Sequence, residues 1–328
     1  MNALALKERL LEAVSKDLAA IEAALKENLQ PYLSVVSHVA DYLISGGGKR
    51  IRPLLMVLSA RLCGYKGNYD VTLSAVFEYL HVATLLHDDI VDGAEVRRGY
   101  PVAHTIWGNP ATVLVGDYLL ARSINIAART GNLSIMEVIS RATARMSEGE
   151  IYQLLHRGDV HLGEDQYMDV IERKTACLIQ AACHSGALLA DAEEVQVQAV
   201  MDYGRHLGYA FQLTDDLLDY TADPAVLGKK TGTDLKEGKV TLPLIHAMNH
   251  AGPKDRESMI AIIGKPDPTM SEFRTVLELV KAHGGIRYTE NRAKEHITAA
   301  KTALELFTPS ASRAVLEDLA DYVLARQL

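Results

Sequence analysis

The sequence predicts an all-α protein, a single domain over residues 1–328 built of long, mostly antiparallel helices. Three observations lead there. Apolar residues recur at helical spacing almost everywhere, and a period of two never persists long enough to propose a sheet. Leu, Ala and Val abound while aromatic residues make up only 6% of the chain, which favours helix over strand. Between Pro110 and Pro224 there is no proline, so several long helices can cross that span unbroken. No tandem repeat or low-complexity linker divides the 328 residues, a length able to bury one large core or two ordinary ones.

Taken in order, helices are expected at 4–25 and 32–44, after which Gly46-Gly47-Gly48 interrupts the pattern. Pro53 falls in the first turn of the next helix, where its missing N–H is tolerated, and that helix runs to about residue 62. Gly64 and Gly67 mark a turn, and a strongly apolar helix over 71–91 stops at Gly93. A loop with Pro101, Gly108 and Pro110 precedes helices at about 111–129, 134–156, 165–190 and 194–220. Asp223-Pro224 ends that run, and 221–240 reads as a loop rich in glycine and lysine. A helix restarts at Thr241 and reaches His250; shorter helices follow, divided at Pro253, Pro266-Asp267-Pro268, Gly284-Gly285 and Pro309.

Composition narrows the function. A net charge of −8 argues against a nucleic-acid partner, which needs concentrated Lys and Arg. Cys63, Cys177 and Cys183 show neither metal-ligand spacing nor a disulfide framework, which fits a reducing cytoplasm. Residues 1–16 alternate apolar and charged residues, as an amphipathic helix does and a signal peptide does not. No apolar run approaches the ~18–20 residues that span a bilayer; the most apolar stretch, 76–86, is interrupted by Glu78 and His81.

Two acid clusters of one form carry the chemistry: Asp88-Asp89-Ile90-Val91-Asp92 and Asp215-Asp216-Leu217-Leu218-Asp219. In each, the first and last Asp are i and i+4 and share a helical face. Two carboxylates about 5 Å apart repel by about 3 kcal/mol at an effective dielectric near 20. The simplest use for such an arrangement, set up twice, is a pair of jaws holding hard divalent cations through oxygen ligands. Arg97-Arg98-Gly99 follows the first cluster. Acids and guanidiniums together suit a diphosphate, the acids through Mg²⁺ and the arginines through paired N–H donors; the plainer alternative is a surface salt-bridge knot.

Gly46-Gly47-Gly48-Lys49-Arg50-Ile51-Arg52-Pro53 joins a glycine turn to three cations and a helix start, a setting that favours an anion. It is not a P-loop, since the Walker spacing and preceding strand are missing, and a plain helix start remains open. Gln212, Asp215, Asp216 and Asp219 form one polar stripe flanked by Leu213, Leu217 and Leu218; a solvated face is the alternative. Gly228-Lys229-Lys230-Thr231-Gly232-Thr233-Asp234 and Glu237-Gly238-Lys239 suit a lid over a charged leaving group. Lys174-Thr175 adds a cation and a hydroxyl. His81 lies seven residues before Asp88, two helical turns below it, and is either a core histidine or part of the same mouth. His87 can serve to orient its acidic neighbours.

Together, GGGKRIRP, LLHDDIVD followed by RRG, Lys174-Thr175, and FQLTDDLLDY followed by GKKTGTDLKEGK resemble the trans-prenyl diphosphate synthases, and within them the long-chain, octaprenyl-type enzymes that make quinone side chains. The resemblance runs over essentially the whole chain. It implies the isoprenoid synthase-like fold, helices around a deep central cavity, usually as a homodimer. It implies a site for roughly three Mg²⁺ ions, held by Asp88, Asp89 and Asp92 with Asp215, Asp216 and Asp219. Arg97, Lys174, Thr175, Gln212, Lys229 and Lys239 match positions around the allylic diphosphate, with Asp88, Asp92, Asp215, Lys174 and Lys229 carrying the chemistry. Lys49, Arg52, His81 and Arg98 match positions that hold isopentenyl diphosphate. None of these positions departs from the family pattern. A greasy product also allows peripheral membrane contact during release.

The mechanism follows from charge. Carbon–oxygen cleavage in an allylic diphosphate leaves a highly charged anion and a delocalised cation. Mg²⁺ and lysines stabilise the anion, and a dry apolar cavity protects the cation from water. The alkene of isopentenyl diphosphate attacks, a proton is lost to the departing diphosphate, and the chain grows by one isoprene unit. Product length depends on how deep the cavity runs behind Asp88. Thr84 and Ala83, four and five residues upstream, are small where an aromatic would floor the pocket early. Products longer than geranylgeranyl are therefore expected, with farnesyl or geranylgeranyl diphosphate as starter. Leu80, Val76 and Phe77 lie further down, and Met136 and Met146 are candidate floors across the cavity. The rivals are a shorter-chain synthase, a class I terpene cyclase and a noncatalytic prenyl-diphosphate-binding subunit. A cyclase normally carries an Asn/Ser/Glu second metal site, and the intact Lys49, Arg52, Arg97 and both acid clusters disfavour the noncatalytic subunit.

Overall fold

In a computed structural model of the protein, the described residues are 3–29, 31–46, 48–97, 99–221, 232–263, 265 and 268–325. They are almost entirely helical. The first ten helices are α1 (Ala3–Leu29), α2 (Ser34–Ser45), α3 (Ile51–Leu62), α4 (Asp70–Val91), α5 (Ala103–Trp107), α6 (Asn109–Ala128), α7 (Leu133–Leu155), α8 (Glu164–Ile171), α9 (Cys177–Leu189) and α10 (Glu194–Thr221). Beyond them lie Thr233–Lys236, Leu242–His250, Pro253–Ile263, Met270–Ala282, Gly285–Ala303 and Ala311–Ala325. The ends follow from local chemistry. Pro53 sits in the first turn of α3, Asn132 caps α7 by accepting from the backbone N–H of Ser134 at 2.9 Å, and Thr269 with Glu272 forms a capping box.

Three features depart from the sequence expectation. The helix expected over 165–190 is divided: α8 passes into a single π-helical stretch, Glu172–Ala176, before α9. A widened turn shifts the phase of an apolar stripe, but residues 175–179 are all buried, so no stripe is there to show the shift. A two-stranded antiparallel ladder, β1 (Val96–Arg97) on β2 (Tyr100–Pro101), stands where no strand was expected; two residues per strand are too few to show a period of two. The helix Gly285–Ala303 is also long, at 19 residues.

Packing centres on α3, α4, α9 and α10. α10 lies against α9 and Gly285–Ala303, α9 against α3 and α7, and α4 against α1, α3 and α6. Their apolar faces form a main core that includes Leu55, Phe77, Leu80, Ala83, Leu119 and Ile179, all at most 2% exposed. A second cluster, with Tyr167, Leu213, Tyr220, Leu244 and Val276, lies beneath the C-terminal half of α10. Burying each large aliphatic side chain contributes about 1.5–3 kcal/mol, so α10 is anchored along both halves. No described helix is long and apolar enough to cross a membrane.

Candidate active site

The first acid cluster ends α4. Asp89 is 1% exposed; its Oδ1 accepts from Arg97 Nε at 2.8 Å, and its buried Oδ2 has no hydrogen-bond partner. Burial pushes the Asp88 carboxyl up to about 6; Lys174 opposes this, and Glu150 and Asp92 reinforce it. Asp92 caps the helix and takes two cations, Arg157 on Oδ1 and Lys239 at 3.7 Å from Oδ2. His87 braces this end of α4 on α6. Its Nε2 lies 3.2 Å from the Val113 carbonyl, in space open only because residue 116 is glycine.

The second cluster rides on α10. Asp216 is buried, and both its oxygens accept: Oδ1 from Gln212 Nε2 at 2.7 Å, Oδ2 from the Tyr167 hydroxyl at 2.5 Å. Burial pushes its carboxyl up to about 7; the Tyr167 and Gln212 hydrogen bonds oppose the shift, while Asp215 and Asp219 add to it. Asp219 accepts from the backbone N–H groups of Thr233 at 3.1 Å and Asp234 at 3.0 Å, so it docks the chain that follows onto α10. Asp234 is held far above the carboxylate range by burial and by Asp219 and Asp216. It is a residue of the site that sequence reasoning passed over, although it stands inside the GTDLKEGK segment. Lys239 joins the clusters. Burial works against its charge, but Glu237, Asp92 and Asp234 more than offset that and raise its pKa.

The Lys174-Thr175 pair lies in the π-helical stretch. Lys174 Nζ donates to Gln153 Oε1 at 2.8 Å and pairs with Glu150, both on α7. Thr175 Oγ1 donates to Gln212 Oε1 at 2.8 Å, completing a chain from Thr175 through Gln212 and Asp216 to Tyr167. Two glycines admit the widened turn. A Cβ on Gly149 of α7 would meet Arg173 Cβ at 2.7 Å, and one on Gly208 of α10 would meet Ala176 Cα at 2.5 Å. Single π turns recur at functional sites because they re-aim side chains within a helix. Glu150, Gln153 and Tyr167 are further contributors missed from sequence. Their available signal was the i, i+3 pairing of Glu150 with Gln153 on one face of α7.

The glycine–lysine–arginine turn sorts its cations. Arg50 adopts a left-handed backbone at φ 48, a conformation that costs of order 1–3 kcal/mol in a non-glycine residue. It is held there by Glu22 and Glu78, each at 2.6 Å, and by the Ile44 carbonyl, so its role is architectural. Arg52 differs: its Nε is buried without a hydrogen-bond partner, and burial lowers its pKa against Glu78 and Cys177. Lys49 Nζ sits 5.3 Å from the Tyr322 ring centroid, in cation–π range. His81 is half-buried on α4, and its carbonyl accepts from Thr84 Oγ1 at 2.8 Å. Of the expected chain-length residues, Phe77, Leu80 and Ala83 are fully buried in the main core and Thr84 is half-buried. Arg98 and Lys229 lie outside the described residues.

A family model for polyprenyl synthetases matches residues 34–280. The chain belongs to the polyprenyl synthetase family. This polyprenyl synthetase is 42% identical over 319 residues to octaprenyl diphosphate synthase of Escherichia coli (strain K12), covering 97% of this chain and 98% of that protein. It is 36% identical to an all-trans-nonaprenyl-diphosphate synthase (geranyl-diphosphate specific) of Rhodobacter capsulatus, covering 98% of each. Among solved structures it superposes on a polyprenyl synthase from Caulobacter crescentus CB15, complexed with calcium and isoprenyl diphosphate, with a TM-score of 0.92 at 39% identity and 98% coverage of each chain. The all-α fold expected from sequence is thus that of the polyprenyl synthases, and the chain is an enzyme of that class.

The family implies Mg²⁺, and the residues present fit it. Among the described residues no three acids or imidazoles converge on one point as a ready-made metal cluster. Yet Asp89 Oδ2 and Glu150 Oε1 are buried without partners, and Asp88 and Asp216 are pushed up to about 6 and about 7 by burial, with neighbouring carboxylates adding to the shift. That is negative charge in need of a hard cation with oxygen preference.

Proposed function

We propose that this chain is a Mg²⁺-dependent trans-prenyltransferase, a single structural unit. It adds successive isopentenyl diphosphate units to an allylic diphosphate, farnesyl or geranylgeranyl, and yields an all-trans polyprenyl diphosphate of octaprenyl length for quinone side chains. One observation carries the reading: Lys239 pairs with Glu237, stands 3.7 Å from Asp92 of the first acid cluster and feels the charge of Asp234 beside the second, so one cation couples both clusters. The octaprenyl and nonaprenyl activities named for relatives that align over nearly the whole chain support the long product.

Asp88, Asp89 and Asp92 from α4, with Asp215, Asp216 and Asp219 from α10, would hold the metal ions, roughly three as the resemblance has it. Bound there, Mg²⁺ neutralises charge on the diphosphate as it leaves. Arg97, Lys174, Lys239 and Lys229 donate to the diphosphate oxygens, as charge-assisted donors are strongest where charge develops. Thr175 and Gln212 orient that group. Lys49 and Arg52, with His81 and Arg98, hold isopentenyl diphosphate; the unpartnered Nε of Arg52 suits an anion. The apolar face of α4 below Asp88, with Ala83, Thr84, Leu80 and Phe77, keeps water from the allylic cation. The departing diphosphate, held by these cations, takes the proton. The exposed apolar Val113, Leu114 and Ile124 of α6 suit a second copy of the chain, and the setting is cytoplasmic, with peripheral membrane contact for release.

The test incubates the purified chain with Mg²⁺, labelled isopentenyl diphosphate and farnesyl diphosphate and sizes the dephosphorylated products. Long all-trans polyprenols are expected, lost in Asp88→Ala and Asp215→Ala. Near-normal turnover in either variant refutes the assignment.

A further inference from the structure

Asp92 carries two cations that come from different loops. Arg157 pairs with its Oδ1, and Lys239 Nζ stands 3.7 Å from its Oδ2. The loops are tied to each other. The Gly158 N–H donates to the Gly238 carbonyl at 2.8 Å, and both glycines hold a left-handed backbone, at φ 72 in each. A Cβ on Gly238 would meet the Gly158 nitrogen at 3.5 Å and Arg157 Cβ at 3.9 Å, so the two backbones lie in near contact. Lys239 belongs to a motif with an assigned part. Arg157 belongs to none: it lies in the short stretch after α7, among His156, Gly158 and Asp159, that the motifs leave out. The side chain of Asp92 is 10% exposed while that of Arg157 is 31% exposed, so the acid is enclosed and the guanidinium has room to turn.

On the function proposed above, on which this inference rests, Asp92 ligates a divalent cation. A carboxylate oxygen that does so cannot also keep a guanidinium on the same lone pairs, since a divalent ion and a unit cation at such range repel strongly. The arriving anion resolves the conflict. A diphosphate offers several charged oxygens beside the metal, and a planar guanidinium fork matches phosphate geometry. We infer that Arg157 is a substrate-binding residue, which exchanges its bond to Asp92 for bonds to the diphosphate of the allylic substrate as Asp92 takes up its metal ion. Tethering through Gly158 and Gly238 brings Lys239 through the same exchange, so the paired loops close on the diphosphate together.

The test uses the full chain with Arg157→Gln and Arg157→Lys. Inorganic diphosphate is titrated calorimetrically into each protein in excess Mg²⁺, and the KM for farnesyl diphosphate and kcat are measured separately. Arg157→Gln is expected to weaken diphosphate binding about tenfold and raise the KM by a similar factor, with kcat changed far less. Removing the guanidinium leaves Asp92, 10% exposed, with Lys239 beside it, so Tm should fall in the metal-free protein, and binding is measured well below the Tm of each variant. Arg157→Lys should recover part of the binding, restoring charge but not the fork. Unchanged diphosphate binding in Arg157→Gln overturns the proposal. So does a variant whose only change is a lower Mg²⁺ requirement, which would make Arg157 merely a counter-ion to Asp92. If the unsubstituted protein itself binds no diphosphate with Mg²⁺, the proposed function fails first and this inference with it.

Discussion

Gly149→Ala tests whether the π-helical stretch positions the chemistry. The added Cβ would lie 2.7 Å from Arg173 Cβ and 2.8 Å from the Lys174 backbone nitrogen. Carbon atoms pack at about 3.5–4.0 Å, so α7 and the π turn must part by about 0.8 Å or more. Neither contact is the end of a flexible side chain, so the movement falls on the backbone that carries Lys174 and Thr175. A misplacement of about 1 Å can cost about a hundredfold in rate, and overpacking costs about 1–3 kcal/mol of stability. The assay is steady-state incorporation of labelled isopentenyl diphosphate well below the unfolding temperature, with thermal unfolding measured in parallel. The expected outcome is a fall in kcat of about a hundredfold beside a drop of a few degrees in Tm. Gly204→Ala, whose Cβ would meet Gln180 Cα at 2.9 Å where α10 crosses α9, should cost similar stability with a much smaller loss of rate. If Gly149→Ala keeps kcat within about twofold while its Tm falls as expected, the π turn is packing and not positioning.

Three further outcomes follow from the same structure. Ala83→Tyr fills the fully buried face of α4 below Asp88 and should shift the product distribution to shorter prenols; an unchanged chromatographic profile counts against that face as the tunnel wall. Glu78→Ala leaves Arg50, whose side chain is 4% exposed, with Glu22 as its remaining carboxylate, and should cost about 3 kcal/mol in urea unfolding. His296, 2.9 Å from His206 between their Nδ1 atoms, is pushed from 6.5 to about 4, by burial first and then by His206. Its folded pKa lies below the unfolded one, so its contribution is complete above pH 6.5 and is lost as pH falls from 6.5 towards 4. The urea midpoint should therefore drop between pH 7 and pH 5, and His296→Phe should flatten that drop.

Helices α6, α7 and α10 were legible because each buries an apolar stripe, and α3 and α4 because they are long apolar stretches buried on every face, with proline and glycine punctuating the ends. The acid clusters were legible because like charges at i, i+4 oppose helix stability and so mark a use. What stayed hidden is whatever periodicity cannot encode. The π turn adds a residue, but Thr175 to Ile179 are all buried, so the shift in phase leaves no mark in the apolar pattern. Arg50 could not be told from Lys49 and Arg52, since its burial depends on Glu22 and Glu78 meeting it from two other helices. Tyr167 and Asp234 reach the second cluster only through tertiary contact. Glu150 lay on a helix face whose partner, Lys174, is 24 residues on.

Charge in the site is arranged as pairs. Arg97 holds Asp89, Arg157 and Lys239 hold Asp92, and Lys174 holds Glu150. Each pair neutralises a carboxylate that would otherwise be buried at a cost of several kcal/mol. A metal ion alone would displace cations into one another's fields, and a diphosphate alone would meet carboxylates. On the proposed function, the acids would hold the metal ions while Arg97, Arg157, Lys174 and Lys239 would turn to the diphosphate, so that every charge would keep a partner. Asp216 keeps a hydrogen bond on each oxygen, from Tyr167 and from Gln212, so a metal ion there would take the remaining lone pairs and leave that network in place. Its fixed network lets Gln212 and Thr175 hold their places while the pairs around them change.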